Sequence, residues 1–192
     1  GWKPHELVPV VIALGALITG GFHLDGLMDT ADGLGAGSES CLNAMKDSRV
    51  GAFGVQTLLM VVLIQIGALL KLDSLAPIAL PVAAFWGRCA PLWAIANFSY
   101  LRHNGASSFH RRYHKGWEEV IPAASALLVA IGALLAFQGS ARIIAGIALG
   151  VFPSLLVPQL LGNLLNGHTG DSYGASLVLV ETIMFLTLAS LF

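Results

Sequence analysis

Long runs of apolar residues separated by short polar segments dominate the pattern of this 192-residue chain. A helix needs about 20 apolar residues to cross a bilayer, and two of the runs reach that length without a charged residue. The other runs are shorter or carry one charged residue. The spans predicted in this way are residues 8–22, 50–70, 74–100, 120–137, 143–165 and 175–192. The pattern therefore predicts an all-α, polytopic transmembrane helical bundle of about six spans.

Composition favours one membrane domain over residues 1–192. The hydrophobic fraction is 56%, above the roughly 45–50% of a soluble domain. The net charge is −1, and no basic stripe with interleaved aromatic residues is present, so nucleic acid is not an expected partner. Cys41 and Cys89 have neither metal-site nor redox spacing. The apolar run at the amino terminus lacks the cleavage site of a signal peptide.

The charges of the polar segments predict the orientation in the membrane. If each span crosses once, one side receives residues 23–49, 101–119 and 166–174. The basic residues of that side are Lys46, Arg49, Arg102, Arg111, Arg112 and Lys115, and those of the other side are Lys3, Lys71 and Arg142. Because basic residues concentrate in cytoplasmic loops, we expect an integral cell (inner) membrane protein whose polar segments face the cytoplasm.

The richest polar segment, residues 23–49, reads HLDGLMDTADGLGAGSESCLNAMKDSR and contains four aspartates. Asp25, Asp29 and Asp32 follow an i, i+4, i+7 spacing, which places them on one face of a helix. Like charges at that spacing repel one another, so a cation between them would stabilise the helix. Mg²⁺ is held by one or two carboxylates, with water and substrate phosphates completing its shell. The segment therefore predicts a metal-phosphate site at the membrane edge, to which Asp47 would add a carboxylate.

Neighbouring residues extend this interpretation. Gly26 and Gly33 each follow an aspartate, and we expect them to leave room for a phosphate to approach the backbone. Lys46 and Arg49 would bind phosphate oxygens. The competing interpretation is an ordinary solvated acidic loop. Apolar residues alternate with the acidic ones in this segment, which favours an amphipathic helix over such a loop.

Two other polar segments and one residue pair could contribute. The run NGHTGDSYG at residues 166–174 is either a polar turn or a source of metal ligands and hydroxyl-orienting groups in His168, Thr169 and Asp171. The run FHRRYHKGW at residues 109–117 either meets lipid headgroups or steers an anionic substrate. Arg88 and Glu181 are ionisable residues inside predicted spans, where such residues are costly and commonly functional. They could instead pair with each other or lie near the end of a span.

The runs FHLDGLMDTADGL, MKDSRVGAFG and GHTGDSYGA, in this order and spacing, closely resemble cobalamin synthase, the adenosylcobinamide-GDP ribazoletransferase family of vitamin B12 biosynthesis. The resemblance covers the whole chain, although family members usually carry a further segment ahead of the first span. It implies an Mg²⁺-dependent membrane transferase. The implied substrates are adenosylcobinamide-GDP and α-ribazole or its 5′-phosphate. Membrane lipid would surround the protein, and a homo-oligomer is possible.

The resemblance also implies roles for individual residues. The predicted catalytic and metal-binding residues are Asp25, Asp29, Asp32 and Asp47. The predicted substrate-binding residues are His23, Lys46, Arg49, Arg88, Arg102, His168, Thr169, Asp171 and Glu181. Tyr100, Arg102 and Gly105 match a Tyr-x-Arg-x-x-Gly run of the family, which favours Arg102 over the 111–115 cluster as the substrate contact.

Two other functions are alternatives. A CDP-alcohol phosphotransferase also uses clustered aspartates at a membrane edge, but its alanine-arginine pair is missing after Asp25-Gly26 and no aspartate lies four residues after Asp47. A cation-coupled transporter commonly shows an internal repeat, and none is evident in this sequence. Both fit the residues less well than the transferase.

Overall fold

The computed structural model describes residues 1–102, 115–119, 121, 124–125, 128 and 141–192. These residues form α-helices, a few short 3₁₀ turns and no β-strand. The α-helices are α1 (Val8–Ile18), α2 (Phe22–Gly35), α3 (Cys41–Ala44), α4 (Ala52–Leu72), α5 (Ala76–Asn97), α6 (Ala141–Leu149), α7 (Val151–Leu165) and α8 (Gly170–Ser190). The all-α prediction is therefore confirmed for the part of the chain that the structure describes.

Helices α4 and α5 form a pair that turns at Asp73. They contain 21 and 22 residues, and Asp73 between them adopts a φ of 44°, outside the helical range. Both helices pack along α8 at the same level, because Gln65 of α4 donates a hydrogen bond to Thr182 and Arg88 of α5 pairs with Glu181. The two helices thus lie against one central helix.

The central position of α8 explains its composition. Ala175, Val180 and Met184 are fully buried, and α8 contacts α2, α4, α5 and α7. In contrast, α4 turns a row of leucine and methionine side chains outward, among them Leu59, Met60 and Leu63, each more than half exposed. An apolar outer surface of this kind is typical of a helix that faces lipid.

The first predicted span, residues 8–22, differs from the structure. Helix α1 has only 11 residues, about half of what a span needs. Gly20 and Gly21 follow with φ of 63° and 74°, a backbone conformation that glycine adopts without steric cost. As a result α2 leaves at 88° to the preceding helix, and the aspartate-bearing helix packs against α8 and α4.

Within the described residues, three helical stretches are long and apolar enough to cross a membrane: Ala52–Asn97, Ile144–Leu165 and Gly170–Ser190. The bent pair of α1 and α2 would make a fourth. The first stretch contains both α4 and α5. The predicted span at residues 120–137 lies almost entirely outside the described residues. The membrane character of the chain is supported, whereas the count of six spans is not confirmed.

Candidate active site

Helix α2 presents Asp25 and Asp29 on one face, as the i, i+4 spacing predicts. α2 lies outside the three stretches that qualify as spans. Asp25 is exposed and Asp29 is half-buried. Burial, and then the nearby carboxylates of Asp25 and Asp171, raise the pKa of Asp29 to about 6. The structure therefore brings Asp171, from the polar segment at residues 166–174, into the electrostatic environment of Asp29 in the segment at residues 23–49.

Close packing between α2 and α8 produces this juxtaposition. Gly26 is buried against the start of α8, where a Cβ atom would lie 2.6 Å from the backbone oxygen of Asp171. Three residues further along α8, a Cβ on Gly174 would lie 3.2 Å from Cα of His23. The prediction that Gly26 and Gly33 leave room for a phosphate is wrong, since both are buried and pack against protein, Gly33 against Met45 and Cys41.

Arg102 forms an ion pair with Asp171. Its Nη2 lies 2.8 Å from Asp171 Oδ2, and the same nitrogen donates a 3.0 Å hydrogen bond to the backbone oxygen of Met45. Each side chain of the ion pair is about one-fifth exposed. In the structure, Arg102 joins the segment after α3 to the first turn of α8. Its role as a substrate contact stays a prediction.

Asp32 binds the backbone at the start of α4. Its two carboxylate oxygens accept hydrogen bonds from the backbone N–H groups of Gly51 and Gly54, at 2.7 and 2.8 Å. These groups belong to the first turn of α4, where N–H groups lack partners within the helix. Because the helix dipole also favours a negative charge there, Asp32 fixes α4 to α2. Whether it also binds metal stays a prediction.

Asp47 lies in an exposed turn and pairs with its near neighbour. Arg49 donates to both carboxylate oxygens of Asp47, the shortest contact being 2.6 Å from Nη2 to Oδ2. These hydrogen bonds lower the pKa of Asp47 to about 2. Lys46 is exposed. Within the described residues, the side-chain contacts of Asp47 are thus with Arg49 and not with α2.

His168 and Thr169 support the backbone of the loop between α7 and α8. The His168 ring is fully buried, with Nε2 3.0 Å from the oxygen of Pro158 and Nδ1 2.8 Å from Oγ of Ser172. Because a carbonyl oxygen only accepts, Nε2 carries the hydrogen of the bond to Pro158. Burial lowers the pKa of His168, which keeps the ring neutral. Thr169 caps α8 by accepting from Ser172 N.

The same loop is tied to the end of α5. Leu101 N donates to His168 O at 2.8 Å, and His168 N donates to Ser99 O at 2.9 Å. The rings of His168 and Tyr173 stack at 5.4 Å. Ser172 and Tyr173 are supporting residues that sequence reasoning did not single out; the Thr-x-x-Ser spacing of a helix cap was the available signal.

Arg88 and Glu181 pair with each other, which confirms one of the two interpretations given above. Gly87 makes the pairing possible, since it lets α5 approach Cγ of Glu181 and the backbone oxygen of Leu177 closely. His23 lines the same cavity as this pair. Most of the predicted substrate-binding residues therefore lie in one group around Asp171 or in another around Glu181, whereas Lys46 and Arg49 lie in the exposed turn that contains Asp47.

The basic segment 109–117 contributes little to this description. Arg111 and Arg112 lie outside the described residues. The backbone N–H of Lys115 donates to Oε1 of Glu119 at 2.9 Å. The choice between lipid contact and substrate steering for this segment stays a prediction.

The donor chemistry of the site fits Mg²⁺. Within the described part of the chain, no three His, Cys, Asp or Glu side chains are close enough together to hold a metal ion. Mg²⁺ requires fewer, because one or two carboxylates suffice when phosphate oxygens and water complete the octahedron. Burial, and after it the neighbouring carboxylates, raise the pKa of Asp29, and a bound cation would relieve the repulsion among those carboxylates.

Comparison with known proteins identifies relatives over nearly the whole chain. The family model described as cobalamin-5-phosphate synthase matches residues 2–189. A protein of Prochlorococcus marinus strain MIT 9313, named adenosylcobinamide-GDP ribazoletransferase, is 59% identical over 99% of this chain and 76% of its own length. A protein of Trichormus variabilis with the same name is 34% identical, over 95% of this chain and 73% of its own. The chain thus spans about three quarters of these relatives. No solved structure matches.

Proposed function

The chain belongs to the cobalamin-5-phosphate synthase family, and from that premise we propose that it transfers the adenosylcobinamide-phosphate part of adenosylcobinamide-GDP to α-ribazole or to α-ribazole 5′-phosphate. The products are adenosylcobalamin, or its 5′-phosphate, and GMP. This is the reaction for which the relatives are named, and neither the phospholipid enzyme nor the transporter finds support in the family match.

The chemistry is the replacement of one phosphate ester partner by another. A ribose hydroxyl of the ribazole forms a bond to the phosphorus on the cobinamide side of the diphosphate. The bond from that phosphorus to the bridging oxygen breaks, and GMP leaves with the electron pair. Such a displacement depends mainly on alignment and on neutralising the charge that collects on oxygen.

Asp25 and Asp29 are the residues best placed to serve this step. They share a face of α2 and stand beside Asp171, so they could hold Mg²⁺ between them. When bound, Mg²⁺ would neutralise charge on the diphosphate oxygens. A carboxylate of the cluster that is not engaged with metal would accept the proton of the attacking hydroxyl.

Arg102 and the Lys46–Arg49 segment would meet the anionic substrate. Arg102 has a buried Nε without a hydrogen-bond partner among the described residues, and this nitrogen could donate to a phosphate oxygen. The exposed Lys46 and Arg49 could attract the diphosphate, as a point charge and a planar fork respectively. In this arrangement the site would face the cytoplasm, in keeping with the charge bias of the loops.

One observation carries the proposal beyond the family name. Asp171 and Arg102 come from polar segments far from α2 in sequence, yet they reach the electrostatic environment of Asp29. A solvated acidic loop would not require such convergence, whereas a site that binds a diphosphate needs carboxylates and cations side by side.

The test is direct. The purified chain, in detergent or nanodiscs, is incubated with adenosylcobinamide-GDP, α-ribazole and Mg²⁺, and the products are identified by mass spectrometry. We expect cobalamin and GMP in equal amounts, with both lost on addition of EDTA and restored by excess Mg²⁺. Hydrolysis of the diphosphate without a cobalamin product, or no reaction by folded protein, would contradict the proposal.

A further inference from the structure

A cavity of about 390 Å³ lies between α1, α2, α4, α5 and α8. Its wall is apolar apart from Thr19, His23, Gln65, Arg88 and Glu181. Small-molecule sites in proteins commonly measure about 300–1,000 Å³ and combine an apolar lining with a few convergent polar groups. This cavity has both properties and lies at the small end of that range.

The charged pair in the wall is the unusual part. Arg88 and Glu181 belong to helices long and apolar enough to cross a membrane, where charged residues are costly and usually face a cavity or a partner. Both hydrogen bonds that the described residues make with Arg88, to Glu181 and to the backbone oxygen of Ala84, use Nη1. The arginine side chain is 51% exposed, so its Nε and Nη2 remain available to a ligand.

The cavity is aligned with the aspartates along one face of α8. Asp171, Gly174, Val178 and Glu181 follow the i, i+3, i+7, i+10 spacing of a single helical face. Gly174 packs against His23, while Val178 and Glu181 line the cavity. Ten residues at 1.5 Å per residue place Glu181 about 15 Å from Asp171 along the axis. Because Gly174 is in contact with the backbone of His23, a ligand in the cavity would reach the aspartate cluster only by passing the His23 side chain, which lines the cavity.

A second recess is less suited to a polar ligand. It measures about 400 Å³, lies between α2, α4, α7 and α8, and has Thr30 and Thr57 as its polar lining. It contains no charged side chain, so it lacks the donors and acceptors that would orient a nucleoside.

We propose that the first cavity, which we call the Arg88 cavity, binds the base of the ribazole acceptor; this inference rests on the proposed function. The base is an alkylated benzimidazole, bicyclic and apolar, with one ring nitrogen that accepts a hydrogen bond. The aliphatic wall receives the rings, and Arg88 donates to the ring nitrogen. The ribose then extends past His23 toward Asp171 and Asp29. The corrinoid nucleotide is much larger than the Arg88 cavity and approaches from the aspartate side.

The test fills the Arg88 cavity without a steric clash. Gly15 lines it, and a Cβ on Gly15 meets no atom within 4 Å, so Gly15→Leu adds a side chain where space exists. Gly67 in α4 is the matched control, because its Cβ also meets nothing within 4 Å and it lines neither of the two recesses described. Ala84→Leu provides a second filling variant from a different helix.

We expect Gly15→Leu and Ala84→Leu to raise KM for α-ribazole at least tenfold and to leave KM for adenosylcobinamide-GDP within twofold. Gly67→Leu should change neither. Unchanged KM for α-ribazole in an otherwise active enzyme would overturn the cavity proposal and leave the proposed function standing, as would a rise in KM for the corrinoid nucleotide alone. A wild-type protein that forms no cobalamin would instead overturn the proposed function.

Photolabelling of the wild-type protein tests the same proposal without any substitution. A ribazole analogue with a photoreactive diazirine on its base should label peptides that contain Ala84 and Val178, and excess α-ribazole should suppress the labelling. Labelling confined to other segments, or equal labelling by a diazirine-bearing lipid that α-ribazole does not displace, would show that the Arg88 cavity holds something other than the nucleoside.

Discussion

Arg102 and Asp171 form a 2.8 Å ion pair that connects the residues following α5 to the first turn of α8. The two residues are 69 positions apart in sequence (171 − 102). Because the pair is only about one-fifth exposed, water does little to replace either partner. It is therefore a contact on which both the position and the charge of Asp171 depend.

Arg102→Gln should destabilise the protein by about 1–3 kcal/mol, since it leaves the Asp171 carboxylate partly buried without a counter-ion. Turnover should fall as well. The double variant Arg102→Gln/Asp171→Asn should recover most of the thermal stability and none of the activity. Thermal unfolding in detergent and product formation, measured on the same preparations, separate the two effects. A single variant with normal stability and normal turnover would contradict this assignment.

Asp25→Asn and Asp29→Asn should each reduce turnover by about 1,000-fold or more, because several kcal/mol of charge stabilisation are lost and each 1.4 kcal/mol corresponds to a factor of ten. Neither change should lower thermal stability, since each removes a negative charge from a helix face where burial and then neighbouring carboxylates raise the pKa of Asp29. Near-normal turnover of either variant at saturating Mg²⁺ would remove that residue from the metal-binding set.

Asp32→Asn should behave differently from the other two substitutions. Both carboxylate oxygens of Asp32 accept backbone hydrogen bonds from α4, and an asparagine side chain offers only one accepting oxygen. We expect a loss of about 0.5–2 kcal/mol of stability, as for other helix caps. Unfolding measurements with Asp25→Asn as the matched control test this, and equal stability of the two variants would contradict the capping role.

Gly26→Ala should impair folding and activity together. Its Cβ atom would approach the backbone of Asp171 to 2.6 Å, and a backbone neighbour cannot rotate away. Overpacking of this kind costs about 1–3 kcal/mol. Gly67→Ala, where the Cβ has open space, is the control and should be neutral or slightly stabilising because alanine favours helix. The comparison requires thermal unfolding and a turnover assay.

His168 predicts how stability depends on pH. Burial lowers its pKa below the ordinary value of 6.5, so the unfolded chain binds a proton at a pH where the folded chain does not. Stability therefore falls as the pH drops below about 6.5. His168→Gln should weaken this dependence, although it also removes ring contacts and lowers stability at every pH. Unfolding temperatures of both proteins between pH 5 and 8 give the comparison, and parallel curves would contradict it.

Membrane orientation can be tested with single cysteines in a background without Cys41 and Cys89. Ser38 and Asn166 are exposed in the two polar segments, and cysteines there should be labelled from the cytoplasmic side. A cysteine at Ser74, exposed at the turn between α4 and α5, should be labelled from the opposite side. Ser172 is fully buried and is unsuitable for labelling. Labels on Ser38 and Asn166 from opposite faces would separate the two segments.

The sequence predicts the long helices well because each carries an unbroken apolar run. Residues 50–70 correspond to α4 at Ala52–Leu72, and residues 74–100 contain α5 at Ala76–Asn97. The start of α8 is less predictable. It begins at Gly170, five residues ahead of the predicted 175, since the Thr169–Ser172 cap converts a polar turn into the first helical turn. Hydropathy does not register a cap.

The site is predictable only in part, because some of its residues meet through contacts between segments that are distant in sequence. The i, i+4 spacing of Asp25 and Asp29 is a local property and can be read from the chain. The approach of Asp171 depends on Gly26, which packs against its backbone, and that is a contact between distant segments. The same limit applies to His168. Its polar neighbours in sequence suggest an exposed loop, yet the ring is fully buried and bonds to Pro158 and Ser172.

The central position of α8 has a consequence for the order of assembly. This helix contacts α2, α4, α5 and α7, all of which precede it in the chain, and it supplies Asp171. During synthesis the earlier helices emerge from the ribosome first and must wait, with their inner faces incompletely covered, until α8 arrives. The proposed site, to which α8 contributes Asp171, is therefore completed only when α8 packs against the earlier helices.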